Sequence, residues 1–388
     1  MGNQTSIKIP HEAKLESSKD IRSPFENVTP LPVPLSNVQC VTHKQEIIIC
    51  GGSNEKLCYS YNTITNQYKL ICSYPENFKV IGQSVVKLMS NNKDTNTITL
   101  LSVGGQGAME EKSTWIMNYV SVWNEKLRKP KNCNKWVPFT DNNDNQISIG
   151  RIEDNYFGVR TVIGGSNNNL LFITYLPKNI DVFDLRTFQY IKYGTLPTEY
   201  SSIHYHCFVP NVESTMSNKE KNEMILLCQK AGILIKYNEG KNTFQFHKLW
   251  VCTTIKSLFF QGWVFVKDVF LFFGGCADKS NGFSDIVYKY SISRNKWVKC
   301  EKTWPISLRD CTGVWNEDTM YLHIIGGSDG DRTVTTHIRI NLQSWMKEEE
   351  TEIERLWISE EEEKRDLEEN KIELDEMKNE IALEKLKV

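Results

Sequence analysis

Six apolar runs recur along this 388-residue chain, and each ends in a diglycine or its remnant. The diglycines are Gly51-Gly52, Gly104-Gly105, Gly164-Gly165, Gly274-Gly275 and Gly326-Gly327, with a degenerate copy at Cys228-Gln229. Typical runs ahead of them are Ile47-Ile48-Ile49-Cys50, Met224-Ile225-Leu226-Leu227 and Phe270-Leu271-Phe272-Phe273. Successive copies lie 53, 60, 64, 46 and 52 residues apart, a period that suits a sheet unit of a propeller better than a shorter helical repeat. One small sheet cannot bury both of its faces, so such units stack around an axis to make a continuous core. The spacing therefore predicts an all-β propeller, with six blades.

The second half of each repeat carries phased aromatics. Tyr61-Asn62 is followed seven positions later by Tyr68, Phe183-Asp184 by Tyr190, Tyr237-Asn238 by Phe244, and Tyr290-Ser291 by Trp297. The second copy is stretched, from Trp123-Asn124 to Trp136, and the sixth is shortened, from Ile340-Asn341 to Trp345. Glycine lets the chain turn sharply beside a neighbouring backbone, and large aromatics supply area for packing sheet on sheet. This pattern resembles the kelch repeat, in which a diglycine ends one inner strand, an aromatic-plus-Asp pair lies on the next and a Trp lies on the last. The resemblance spans roughly residues 31–346. It implies equivalent, buried positions for Tyr61, Phe183, Tyr237 and Tyr290. The weak sixth copy leaves room for the stretch from Phe25 to Val33 to supply an outer strand that closes the ring.

Composition divides the chain into a polar N-terminal arm (1–30), the propeller (31–346) and an acidic helical tail (347–388). The tail has neither Gly nor Pro, and its 17 acidic and 8 basic residues leave about +7 on the rest of a chain whose net charge is −2. Leu367, Leu374, Ile381 and Val388 recur every seven residues, but Asn370 and Glu384 interrupt the companion positions, which makes half of a coiled-coil seam. The expectation is a monomer whose tail is a largely independent helix. Polar inserts at 90–94, 141–145 and 212–223 read as surface loops. No apolar run reaches the 18 residues needed to span a membrane, and no secretory leader is visible, so a cytoplasmic protein is expected. Eleven scattered cysteines without Cys-x-x-Cys spacing read as buried thiols in a reducing compartment.

Few motifs carry chemistry. Gly2-Asn3-Gln4-Thr5-Ser6 fits the N-myristoylation acceptor pattern, and one acyl chain would give only weak, reversible membrane association. His204-x-His206-Cys207 is a local histidine cluster, expected to be a hydrogen-bonded strand pair rather than a metal site. Asp141-x-Asn143-x-Asn145 begins like a calcium loop, but Gln146 stands where Gly is needed and Ile152 where the bidentate Glu would be. Ser328-Asp329-Gly330-Asp331 reads as a turn. No phosphate-binding loop or nucleophile elbow appears, and nothing matches the ligands of the kelch-like copper oxidase. The reading is therefore a non-catalytic scaffold whose propeller loops bind a protein partner, with no cofactor, no metal and no nucleic acid. The alternatives are an enzyme with its site in the propeller channel, or the same adaptor tethered to a membrane through Gly2.

Overall fold

The structure is a computed structural model, and it describes residues 25–76, 78, 81–89, 96–124, 132–199, 202–211, 222–259, 261–277, 283–342, 345–346 and 349–385. Gly2, the first 24 residues and the inserts at 90–94 and 212–221 lie outside this set. Twenty-four strands form six four-stranded antiparallel sheets, which makes a six-bladed β-propeller. A three-residue strand, β1 (Phe25–Asn27), comes first and joins the last sheet. Blade I is β2 (Gln39–His43), β3 (Glu46–Gly52), β4 (Glu55–Asn62) and β5 (Gln67–Ser73). Blade II is β6 (Ser84–Leu88), β7 (Thr97–Val103), β8 (Thr114–Val120) and β9 (Val137–Pro138). Blade III holds β10 (Asn155–Gly164), β11 (Leu170–Leu176), β12 (Asn179–Asp184) and β13 (Gln189–Thr195). Blade IV holds β14 (Cys207–Pro210), β15 (Glu223–Leu227), β16 (Gly232–Asn238) and β17 (Thr243–Leu249). A short helix, α1 (Thr253–Ser257), leads into blade V, which is β18 (Gly262–Val266), β19 (Val269–Phe273), β20 (Ile286–Ser291) and β21 (Lys296–Thr303). Blade VI is β22 (Thr312–Asn316), β23 (Tyr321–Ile325) and β24 (His337–Asn341) with β1 outermost, and α2 (Glu352–Lys385) follows. Among the described residues no helix is long and apolar enough to cross a membrane.

The apolar runs are unbroken because both faces of each middle strand are covered. Successive side chains of a strand point to opposite faces, so Ile47 and Ile49 of β3 pack towards blade VI while Ile48 and Cys50 pack towards blade II. The core accordingly divides into six clusters, one at each interface between neighbouring blades.

In blades II, V and VI the diglycine follows the second strand, and the chain entering the next blade crosses over it. Gly327 N–H donates to Leu35 O, Gly275 N–H to Leu308 O and Gly105 N–H to Tyr156 O. At Gly326, with φ of 64°, an added Cβ would stand 2.2 Å from Leu35 O, so no other residue fits without moving that backbone. Gly164-Gly165 is the exception. It ends β10, the inner strand of blade III, and lies at the opposite edge of the blade; the second strand of that blade ends instead at the turn over 177–178.

The phased aromatics fall on third strands. Tyr61, Phe183, Tyr237 and Tyr290 are buried, and each lies directly across from its partner on the fourth strand: Tyr68, Tyr190, Phe244 and Trp297. In blade II the register differs from the sequence reading. Tyr119, fully buried and opposite Ile98 as Tyr61 is opposite Ile47, takes this place. Trp123 lies beyond the strand, half-buried, its Nε1 donating to Ser60 Oγ at 2.9 Å. Trp136 precedes β9, stacks on Tyr74 at 4.7 Å and packs in the interface of blades I and II. A further periodic signal lies five residues after the aromatic. The hydroxyls of Tyr61, Tyr237 and Tyr290 donate to Asn66, Asn242 and Asn295 at 2.8, 2.6 and 2.9 Å. Those asparagines hold left-handed turns with φ of 56°, 53° and 46°, a conformation that asparagine tolerates. Blade III has Phe183 and no hydroxyl, and Phe188 stands in place of the Asn.

Ring closure moves the expected arm boundary. Phe25–Asn27 pairs with β24, with Phe25 edge-on to Trp304 and Glu26 paired to Arg339 at 2.6 Å, so the propeller includes residues before 30. Trp345 is buried just past β24, and among the described residues no fourth strand follows it, which accounts for the short sixth spacing.

The tail differs from the expectation of an independent helix. α2 lies against blade V: Ile358 and Glu361 are buried, and Trp357 packs into the interface of blades IV and V. Glu361 accepts the backbone N–H of Thr253 and, at 2.9 Å, its hydroxyl. It thus caps an α1 N-terminus that has no side-chain cap of its own. Glu368 meets Lys256 at 2.7 Å, and Glu350 meets Lys296 at 2.9 Å. Leu367 and Leu374, the sevenfold positions, are exposed on the far side.

Blades VI and I meet over a buried imidazole pair. Tyr68 Oη contacts His337 Nδ1, and His337 Nε2 lies 2.9 Å from His323 Nδ1. Burial, and secondarily Arg339, holds His323 down at about 4; burial and His323 lower His337 as well. An unfolded histidine titrates near 6.5, so between about 6.5 and 4 the unfolded chain binds more protons and stability is lost as pH falls. For His323 the loss comes to roughly 3 kcal/mol. Asp181, pushed up to about 6 mainly by burial, has the opposite sign. The expected result is therefore a difference: between pH 7 and 4, His323→Gln should lose about 3 kcal/mol less than the parent in denaturant melts. Equal losses would show that the pair does not govern the acid response.

Candidate functional site

The six inner strands line a central channel containing a cavity of about 540 Å³. Its mouth is built where the connecting chains enter those strands. Asn37 precedes β2, His204, Tyr205 and His206 precede β14, Gln261 precedes β18 and Asp310 precedes β22. Ser84 of β6 and Arg160 and Thr161 of β10 complete the polar wall, and Leu227, Leu258, Trp263 and Phe272 form an apolar one.

Tyr205 organises one side of the mouth. Its backbone is left-handed, with φ of 50°, an uncommon conformation for a bulky residue. It is held there by its N–H, which donates to Gly158 O at 2.9 Å, and by a ring seated over Gly82, where an added Cβ would lie 2.5 Å from the phenol oxygen. The Arg160 guanidinium lies 5.5 Å above this ring, and its Nη1 donates to Val159 O at 2.8 Å. Among the described residues Arg160 has no carboxylate within 4 Å. Burial lowers its pKa, though an arginine stays charged. Thr161 and Ser84 share a hydroxyl contact of 2.9 Å.

The two histidines do not share a strand face, because the left-handed Tyr205 intervenes before β14 begins. His204 is half-buried, its Nδ1 3.0 Å from Ser202 O. His206 is 3% exposed; its Nε2 lies 2.6 Å from Thr174 Oγ1, and its Nδ1 has no partner. Burial, then Arg160 and His204, keeps it neutral far below the usual range. Gln261 Nε2 is also buried without a partner. Asp310 is pushed up by burial, against its bond from Asn37 and the Arg309 charge 3.7 Å away. The thiols of Cys207 and Cys311 in the wall are raised by burial, the latter to about 12, so both are protonated and poor nucleophiles at neutral pH. Phe259 lines the cavity and is 43% exposed, and Phe157, 37% exposed, packs edge-on against Tyr205 at 5.3 Å.

The sequence singled out His204, His206 and Cys207 here, but not Arg160, Tyr205, Gln261 or Asp310, for which it carried no local motif. Its other candidates lie elsewhere. The Asp141 carboxylate accepts from the N–H groups of Asn143 and Asn145 and so closes its own loop, and Asp329 likewise closes the turn before Arg332. Among the described residues no three His, Cys, Asp or Glu side chains form a metal-binding group.

No family model matches the sequence, and no curated protein does. The backbone is matched by 1010 chains of solved structures, so its shape alone singles out no activity. One of them, described as "Structure of YjhT", is 15% identical, with a TM-score of 0.55 over 80% of this chain and 95% of that one. At that identity the likeness establishes what the sheets already show, a chain folded as a β-propeller.

Proposed function

We propose that this chain is a kelch-type propeller acting as a non-catalytic scaffold, and that it grips a protein partner at the channel mouth. The observation that carries this reading is a pair of exposed aromatics, Phe259 in the cavity lining and Phe157 packed on Tyr205 of that lining. Interfaces favour such a setting, because an aromatic rim beside a pocket supplies large apolar contact at little entropic cost while neighbouring polar groups fix register. Asn37, Gln261 and Asp310 supply that polarity. Catalysis in the channel is the weaker reading, since burial holds the wall thiols protonated. Acylation at Gly2 would add a reversible membrane address to the same scaffold.

The double substitution Phe157→Ser and Phe259→Ser should leave the melting temperature close to the parent, because both rings are substantially exposed. Partners recovered with the tagged parent from its native cell should drop at least tenfold with the variant, roughly 1.4 kcal/mol of binding. Undiminished recovery of the same proteins would overturn the reading.

A further inference from the structure

Arg160 is at odds with the other half-buried arginines among the described residues. Arg151, Arg309, Arg339 and Arg365 each have a carboxylate close by, at 2.9, 3.7, 2.6 and 3.6 Å. Arg160, in the channel wall, has a backbone carbonyl and a tyrosine ring. A guanidinium taken largely out of water without a counter-charge is costly, and a bound anion would offset that cost. Little negative charge opposes an anion: among the described residues the one acid lining the cavity, Asp310, is engaged by Asn37 and Arg309.

A second observation points the same way. His206, 3% exposed, lines the cavity with Nδ1 unpartnered. Thr174 Oγ1 donates to Arg160 O at 3.3 Å and lies 2.6 Å from Nε2. Gln261 Nε2 is a buried donor in the same wall without a partner.

We propose that the channel is a binding site for a small organic oxyanion, its carboxylate or phosphate group held by Arg160 beside His206. The cavity of about 540 Å³ is far larger than an oxyanion alone and falls in the range of small-ligand pockets, so the body of the ligand lies against Leu227, Trp263 and Phe272. A planar guanidinium suits either head group, because both accept two parallel hydrogen bonds. The site uses Arg160, which the scaffold reading does not invoke, and does not depend on partner binding.

The test is calorimetric titration of the full chain with inorganic phosphate and, separately, with acetate in a chloride-free buffer. Saturable binding of one equivalent is expected for at least one probe, weakened tenfold or more in Arg160→Gln and partly retained in Arg160→Lys. Whichever probe binds more tightly identifies the head group as a phosphate ester or a carboxylic acid. Without anion, Arg160→Gln should melt no lower than the parent, since it removes an unpaired charge, and the Lys variant reports on the site should it fail to fold. Absence of saturable binding with both probes, or equal affinity in Arg160→Gln, would overturn the site. Arg160→Gln should still recover the partners that the parent recovers, which separates failure of this proposal from failure of the scaffold reading.

Discussion

Trp297→Ala is expected to destabilise the protein by about 3 to 5 kcal/mol, the range for truncating a large buried aromatic. Trp297 is buried between blades IV and V, stacked on Tyr290 at 4.7 Å and against Phe272 at 5.4 Å. Its Nε1 donates to Trp250 O at 2.8 Å across the blade boundary, so truncation leaves both a cavity and an unpaired carbonyl. The half-buried Trp123 is the internal comparison, and its replacement by Ala should cost much less. Urea unfolding monitored by far-ultraviolet circular dichroism gives both values. An unchanged midpoint for Trp297→Ala would show that the interface does not depend on this ring.

Removing residues 347–388 is expected to cost about 4 kcal/mol. The apolar share comes from Ile358 and the half-buried Trp357, together about 3 kcal/mol. Loss of the Glu361 cap on α1 adds about 1 kcal/mol. The partly exposed ion pairs of Glu350 and Glu368 add little. Truncation after residue 373 keeps every one of these contacts and should change stability by less than about 0.5 kcal/mol. Melting curves for the two truncations settle the matter: a neutral long deletion, or an equally costly short one, would show that α2 is not docked by its N-terminal half.

The propeller was legible because its physics is local and repeated. A middle strand covered on both faces needs an unbroken apolar run, and a chain crossing over a turn needs glycine, so both features recur at blade spacing. Misreadings arose where a local pattern had more than one cause. Gly164-Gly165 ends an inner strand and resembles the other diglycines only in composition. Trp123 drew attention away from Tyr119 because a tryptophan followed by Asn resembles the motif, whereas strand pairing sets the register. Leu367 and Leu374 of the tail's heptad recurrence turned out to face solvent, while its docking side is made by Trp357, Ile358 and a buried Glu361 that no apolar periodicity reveals. The channel was illegible for a topological reason. Ser84, Arg160, His206, Gln261 and Asp310 belong to five different blades or their entries, and only closure of the ring brings them to one cavity.

That closure has a consequence for how the protein is made. Glu26 and its partner Arg339 are 313 residues apart, and β1 leaves the ribosome long before β24 exists. At 5–20 residues per second, roughly 15 to 60 s separate them. Throughout that interval the face of blade I that carries Ile47, Ile49 and Tyr61 has no Val314 or Ile325 to cover it. The nascent chain is an open arc with an uncovered apolar face, and β1, made before all six blades, is the last of their strands to find its place.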